Sequence, residues 1–278
     1  VTDLTLLDRL DRCYDAIPRV GGARVEAVGP FELFLRDGPG WPYYARPRPG
    51  RTDTTPDDVT PEDVARVLAR QRELGVPEAI EWVLEVTPSL QQALSQAPLQ
   101  VTLAPLMALT PDRLTGDSGQ ATLLDPDSKS FDTDFALSSA VAHLGFGAAG
   151  TSIGPVGPQS RDDLARPVAD DLLPVIRDGL RTGHKVEAVV RVPGEGIVAR
   201  GALQSAEGAA EVVGVATLPS ARRRGYGAMV SALLARVAFD RGHDLVFLSA
   251  ADEDVARVYG RIGFTRVGTA GIAEAGHH

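Results

Sequence analysis

Residues Glu211–Ala228, EVVGVATLPSARRRGYGA, join a strand to a helix through a turn rich in arginine and glycine. Val212, Val213 and Val215 favour a strand, and Gly214 inside it marks a bulge or a point of close backbone approach. Pro219 stops the strand ladder, having no N–H to give. Arg222, Arg223, Arg224, Gly225, Tyr226 and Gly227 then lead into a helix whose apolar stripe is Met229, Val230, Leu233, Leu234 and Val237. A helix start presents unpaired N–H groups and partial positive charge, worth about 0.3–1 kcal/mol to an exposed anion. Gly225 and Gly227 lack a Cβ, so backbone can close around phosphate oxygens, and the arginines add charge-assisted hydrogen bonds. The turn reads as a diphosphate site. The competing reading is a solvated arginine run at the head of an ordinary helix.

Two familiar phosphate loops do not fit. A Walker loop needs a lysine followed by Ser or Thr, and neither is here. A dinucleotide fingerprint needs a third glycine where Met229 and Val230 stand, and a strand ending directly before the first. Asp252 does lie at a distance suited to a ribose contact, but the strand ends near Leu218, too far from Gly225.

Working outward, Leu245–Ala250 (LVFLSA) suits a strand covered on both faces. Asp252–Arg261 reads as a helix and Phe264–Val267 as a closing strand. The first half has the same order. Thr60 is an N-cap, Pro61 takes the first helical position, and Asp63 completes a capping box. Val64, Val67, Leu68 and Leu74 trace a helix to Gly75. A strand over Ala79–Val86, a short helix over Pro88–Ala97 and a strand over Gln100–Leu109 interrupted at Pro105 follow. Helix, strand, helix, strand thus occurs twice, a repeat of order rather than identity. At the start, Leu4, Leu7, Leu10 and Tyr14 share one helical stripe. Turn-rich stretches at Gly38–Pro61, Thr110–Lys129 and Gly145–Pro158 punctuate the chain, and the boundary between halves is expected near residue 120.

Composition narrows the class. Of 278 residues, 44% are hydrophobic and 23% charged, the balance of a globular chain. The net charge of −9 removes the basic footprint of a duplex nucleic-acid binder. Cys13 is the one cysteine, so no intramolecular disulfide and no cysteine zinc cluster can form. No run of about 18 apolar residues exists for a membrane span, and the opening residues lack an apolar signal core. The expectation is a cytoplasmic protein, with no metal, no nucleic acid and no membrane partner. His277 and His278 read as the stub of a purification tag and carry no argument.

R-x-x-G-x-G at Arg222, Gly225 and Gly227, then a helix, a strand, and Y-x-x-x-G-F at Tyr259, Gly263 and Phe264, resembles the GNAT superfamily of acyl-CoA-dependent N-acyltransferases. The resemblance covers about residues 121–270 and is strongest over Glu211–Val267. It implies a mixed α/β (α+β) GNAT-like fold built as two halves: residues 1–120, a degenerate copy, and 121–278, an acetyltransferase domain. It implies acetyl-CoA as co-substrate and a small-molecule or peptide amine as acceptor, in a monomer or homodimer. The amides and side chains of Arg222, Arg223, Arg224, Gly225, Tyr226, Gly227 and Ala228 would hold the coenzyme A pyrophosphate. Val215, Ala216 and Thr217 would pair with the pantetheine arm, and the Thr217 amide would polarise the thioester carbonyl, a role that can be worth about 3 kcal/mol.

Tyr259 stands where the family often keeps a general acid for the departing thiolate; packing of the last helix is its structural alternative. Glu211 stands where histone-acetylating relatives use a glutamate as base through water, and period-two alternation over six positions puts it on the face of Thr217. An exposed strand-end carboxylate is the other reading of Glu211, and Glu187, Glu195, Asp252 and Glu253 are further acids. Many members carry Asn three positions before the helix alanine, where Glu253 precedes Ala256 here. In the first half, Asp57, Asp58, Glu62 and Asp63 gather at the start of the corresponding helix and would repel a diphosphate. That half is expected to bind no coenzyme A, with Trp41, Tyr43 and Tyr44 either lining an acceptor pocket or packing between halves. The main functional reading is direct acetyl transfer in a ternary complex; the alternative is a non-catalytic acyl-CoA-binding or regulatory protein.

Overall fold

The computed structural model describes residues 3–38, 40, 42–50, 58–148 and 150–276. The expectations placed on Trp41, Asp57, His277 and His278 lie outside them. The chain divides into two compact units: Val1–Met107 with Ser249–Ala251 and Arg266–His278, and Ala108–Leu248 with Asp252–Thr265.

The first unit begins with α1 (Leu4–Val20), longer than the Leu4–Tyr14 stripe and carrying Pro18 in its last turn, where the missing N–H forgoes one helical bond, to the Tyr14 carbonyl. Asp3 caps it, accepting from the Thr5 and Leu6 N–H groups at 3.1 and 3.2 Å. Strands β1 (Arg24–Val28), β2 (Phe31–Leu35) and β3 (Ala45–Pro47) follow, then α2 (Pro61–Leu74), β4 (Ala79–Val83), α3 (Ser89–Ala93) and β5 (Gln100–Leu109). The strand order here is β1-β2-β3-β4-β11-β5, with β11 (Thr265–Glu274) arriving from the chain's C-terminal end. β11 pairs antiparallel with β4 from Ala270↔Val83 to Glu274↔Ala79. It runs well past the Val267 limit read from sequence. β5 is not broken at Pro105: the proline carbonyl accepts from Ala250 N–H at 2.9 Å, so the position supplies the half of the ladder it can.

Phe31, Leu33, Val64, Val67, Leu68, Ile80, Trp82 and Leu90 form the core between the strands and the α2–α3 side. On the α1 side, Arg46 is fully buried, paired with Asp11 at 3.1 Å and Glu81 at 3.5 Å and lying 4.4 Å from the Tyr14 ring. Tyr43 is instead half-buried beside Arg36, which lies 4.4 Å from its ring centroid.

The second unit holds β6 (Ala121–Leu123), α4 (Phe131–Phe146), α5 (Pro158–Leu164), α6 (Leu172–Arg181), β7 (Lys185–Val192), β8 (Gly196–Ala206), β9 (Ala209–Thr217), α7 (Tyr226–Asp240), β10 (Leu245–Ser249) and α8 (Glu253–Gly260). Its strand order is β10-β9-β8-β7-β6. β6 to β9 are antiparallel neighbours, and β9 and β10 run parallel. α4 covers one face and α7 the other. A Cβ at Gly145 of α4 would come within 2.9 Å of Ala216, and one at Gly201 of β8 within 2.6 Å of Val230 on α7. The order α2–β4–α3–β5 recurs as α7–β10–α8–β11, the repeat seen in the sequence.

Candidate active site

β9 and β10 pair only at their beginnings, Leu245↔Ala209, Val246↔Ala210 and Phe247↔Glu211. Beyond Glu211 no β9–β10 pairing is made among the described residues. The register of β9 against β8 also shifts there, between Arg200 and Ala202, opposite Gly214. Gly214 sits at φ +60°, the left-handed region that a bulge uses and that glycine enters without strain. From Val215 to Thr217 the backbone therefore stays on β8 and leaves β10. The Leu218 N–H donates to the Val198 carbonyl at 2.9 Å. Strand alternation then turns the Thr217 N–H to the opposite edge, into the split between the two parallel strands.

The bulge corrects one inference. Gln204 Nε2 donates to Glu211 Oε2 at 2.8 Å, and Gln204 shares with Arg200 the face on which Arg200 reaches Ser138 of α4. The Thr217 hydroxyl lies on the α7 side, 3.7 Å from where a Cβ on Gly227 would stand. Glu211 and the Thr217 side chain are thus on opposite faces, because one extra residue at Gly214 reverses the count. Glu211 is buried, so it is not an exposed strand-end carboxylate either.

At the arginine turn, Arg223 takes φ +66° and Gly225 φ +80° before the helix begins. No side chain caps α7, and its first intrahelical bond is made by Met229 N–H to the Gly225 carbonyl at 3.1 Å. The N–H groups of Tyr226, Gly227 and Ala228 precede that bond and have no acceptor along the helix. Left-handed glycine, uncapped amides and an exposed Arg223 are the donor set an anionic diphosphate requires. Among the described residues Arg223 makes no ion pair. Arg224 is held by Glu195 at 2.8 Å, and this bond and one to the Tyr226 side chain raise its pKa. Glu195 is thereby an arginine partner in the β7–β8 turn.

Arg222 does something else. Its guanidinium donates to the carbonyls of Gly145 (2.9 Å), Ala148 (2.7 Å) and Ser152 (3.2 Å), at and just beyond the C-terminal end of α4. A cation there faces the negative end of the helix dipole, and partial burial lowers its pKa. Three of its five N–H donors are taken by these carbonyls, which anchors the fork to the end of α4 and leaves Nε–H and one Nη1–H. The same loop is fastened by Ser220 N–H to Val156 O (2.9 Å) and Gly154 N–H to Pro219 O (3.1 Å). No sequence signal tied residues 145–156 to this turn.

Tyr259 is buried, with its ring 5.9 Å from Phe264 in an edge-on contact. Burial pushes its phenol up to about 12, opposed by a hydrogen bond with Ser231. Ser231 Oγ in turn donates to the Gly227 carbonyl at 2.9 Å, so the hydroxyl is wired to the first turn of α7. Asp252 is spent as the N-cap of α8, accepting from Val255 N–H at 2.8 Å, and Glu253 is exposed beside it. Glu187 is fully buried between Arg200 and Ser138, each 2.5 Å from Oε1. Cys13 is buried in α1 of the first unit. Among the described residues no cluster of His, Cys, Asp and Glu could hold a metal ion, and no helix is long and apolar enough to cross a membrane.

Residues 196–270 match the family model described as FR47-like protein, and this segment contains both halves of the motif, Arg222–Gly227 and Tyr259–Phe264. No curated protein matches the chain by sequence. Among solved structures, the chain is similar to a GCN5-related N-acetyltransferase from Kribbella flavida, with a TM-score of 0.68 and 22% identity over 98% of this chain and 96% of that one. It is also similar to a GCN5-related N-acetyltransferase-like protein from Streptococcus suis 89/1591, with a TM-score of 0.50 and 11% identity over 93% and 92% of the two chains. The fold is that of the GCN5-related N-acetyltransferases, and the likeness runs through both units.

Proposed function

We propose that the protein is an N-acetyltransferase that moves an acetyl group from acetyl-CoA to a primary amine. The observation that carries this reading is the parting of β9 from β10 after Glu211, next to an uncapped helix start with a left-handed Gly225. An extended pantetheine arm fits that gap as a missing strand would. Its amides pair with Val215–Thr217, while the pyrophosphate meets the N–H groups of Gly225–Ala228 and the exposed Arg223.

In the reaction, the amine nitrogen forms a bond to the acetyl carbonyl carbon and the C–S bond breaks. The Thr217 N–H, turned into the split, donates to the carbonyl oxygen as charge develops on it. Glu211 takes the proton from the amine through water, and its position on the α4 face brings the acceptor in from that side. Tyr259 returns a proton to the sulfur. A phenol near 12 is a weak donor to an ordinary thiolate, but desolvation of the thiol in the split raises its pKa as well.

The two units differ at the corresponding helix. In α2, Thr60 accepts from Asp63 N–H at 3.2 Å and the Asp63 carboxylate accepts from Thr60 N–H at 3.2 Å. That capping box occupies the Asp63 N–H, the counterpart of Ala228, Pro61 has no N–H to offer where Tyr226 does, and Glu62 adds negative charge to the same turn. The first unit therefore has no diphosphate site of this kind. Release of free thiol from acetyl-CoA with a panel of polyamines, aminoglycosides and lysine peptides tests the activity. Binding of acetyl-CoA with no turnover on any amine would favour a non-catalytic acyl-CoA-binding protein.

A further inference from the structure

Arg200 of β8 makes three contacts that join elements far apart in the chain. Its Nε donates to Ser138 Oγ on α4 at 3.2 Å, its Nη2 lies 2.5 Å from Glu187 Oε1 on β7, and its Nη1 donates to the Gly214 carbonyl at 3.1 Å. The third contact falls on the bulge itself. A Cβ on Gly214 would sit 2.6 Å from that Nη1, so the glycine admits both the positive φ and the close approach of the guanidinium. We propose that Arg200 is a positioning residue, a latch whose bond to the Gly214 carbonyl sets the bulge and so turns Val215–Thr217 out of register with β10. The acetyl-CoA consequence rests on the function proposed above; the latch itself does not.

The physical case is one of geometry backed by charge. A carbonyl inside a bulge loses its ladder partner, and at half-buried Gly214 a side-chain donor replaces that partner. A guanidinium is the donor that can serve such a carbonyl while it stays paired elsewhere, since its planar fork carries five N–H groups. Glu187 holds the fork in place: its side chain is wholly inaccessible, and Ser138 Oγ shares its Oε1. The other oxygen, Oε2, has no hydrogen-bond partner among the described residues. A lone buried carboxylate beside α4 would be unfavourable, and its presence makes sense as the anchor that aims Arg200 at Gly214.

Removing Arg200 alone would strand the Glu187 charge and risk unfolding, so the informative variant is Arg200→Met/Glu187→Met, which replaces the pair with apolar groups of similar size. Two readouts apply. Amide hydrogen exchange at Val213–Thr217 is expected to speed by about tenfold in the double variant, with the α7 and β7 amides unchanged; equal exchange would overturn the latch. Acetyl-CoA affinity is expected to fall by about tenfold in the double variant and by less than about twofold in Glu187→Gln, which keeps the Arg200–Gly214 bond. If native protein binds no acetyl-CoA while exchange at Val213–Thr217 still responds, the proposed function fails and the latch stands. If the native protein binds and the double variant matches it in both affinity and exchange at Val213–Thr217, the latch fails and the function stands.

Discussion

The Arg222 guanidinium and the Gly145 carbonyl lie 2.9 Å apart, which fastens the end of α4 over the strand that would carry the thioester. A Cβ on Gly145 would be 3.4 Å from the Thr217 nitrogen, so this helix end rests directly on the proposed carbonyl-polarising amide. Arg222→Lys keeps the charge but replaces a fork that serves the carbonyls from two separate nitrogens, Nη1 and Nη2, with a single ammonium on a differently shaped stem. The expected result is faster hydrogen exchange over residues 145–154, a stability loss of about 1–2 kcal/mol, and lower turnover at saturating acetyl-CoA. Unchanged exchange in that loop would contradict the role.

Tyr259→Phe is expected to lower turnover by about a hundredfold while acetyl-CoA affinity changes little, because the hydroxyl acts on the leaving thiolate and the ring remains to pack on Phe264. With its phenol near 12, Tyr259 keeps its proton through the working range. The pH–rate profile should therefore show no loss up to about pH 10 that Tyr259→Phe abolishes.

Gly263, the glycine of the closing motif, is required by its surroundings. It takes φ +109°, and a Cβ there would stand 2.0 Å from the Arg113 carbonyl oxygen, a backbone atom that cannot swing aside. Gly263→Ala should cost at least about 2 kcal/mol by chemical denaturation. A neutral effect would mean that residues 113–115 give way freely.

The first unit should lose stability as pH rises through neutrality. Burial lifts the Glu81 carboxyl to about 7, against the opposing pull of Arg46 and a hydrogen bond with Tyr44, with Glu274 adding to the rise. The folded state then holds a proton that the unfolded chain releases near 4.5. The contribution is full below about pH 4.5 and is lost as pH rises through about 7. Its size is on the order of 1–2 kcal/mol, since the side chain is a quarter exposed. Glu81→Gln should flatten the melting temperature between pH 5 and 8; an unchanged slope would put the titration elsewhere.

Much of this was legible in the chain itself. The capping box at Thr60–Asp63, the stop at Gly75 and the helix entered through Gly225 are local, and local chemistry settled them. The three-residue strands β3 and β6 carry too few positions to show alternation. The β7–β8 hairpin buries long runs on both faces and so lacks the polar half of the pattern. In the site, Gly214 was recognisable as a bulge, yet its effect on the parity of Glu211 and Thr217 follows only once the register against β8 is known. Arg222 looked like its two neighbours because nothing within the RRR run reveals a carbonyl 77 positions earlier.

Calorimetric titration of acetyl-CoA into the native protein and into Arg223→Glu tests the central claim most directly. Arg223 is the exposed arginine of the turn with no ion pair among the described residues, so reversing its charge alters the ligand field with least damage to the fold. The account predicts one site per chain, weakened by about tenfold or more in the variant and at low salt above all. Two sites would contradict the reading of the capped α2 start, and no binding at millimolar acetyl-CoA would contradict the transferase itself.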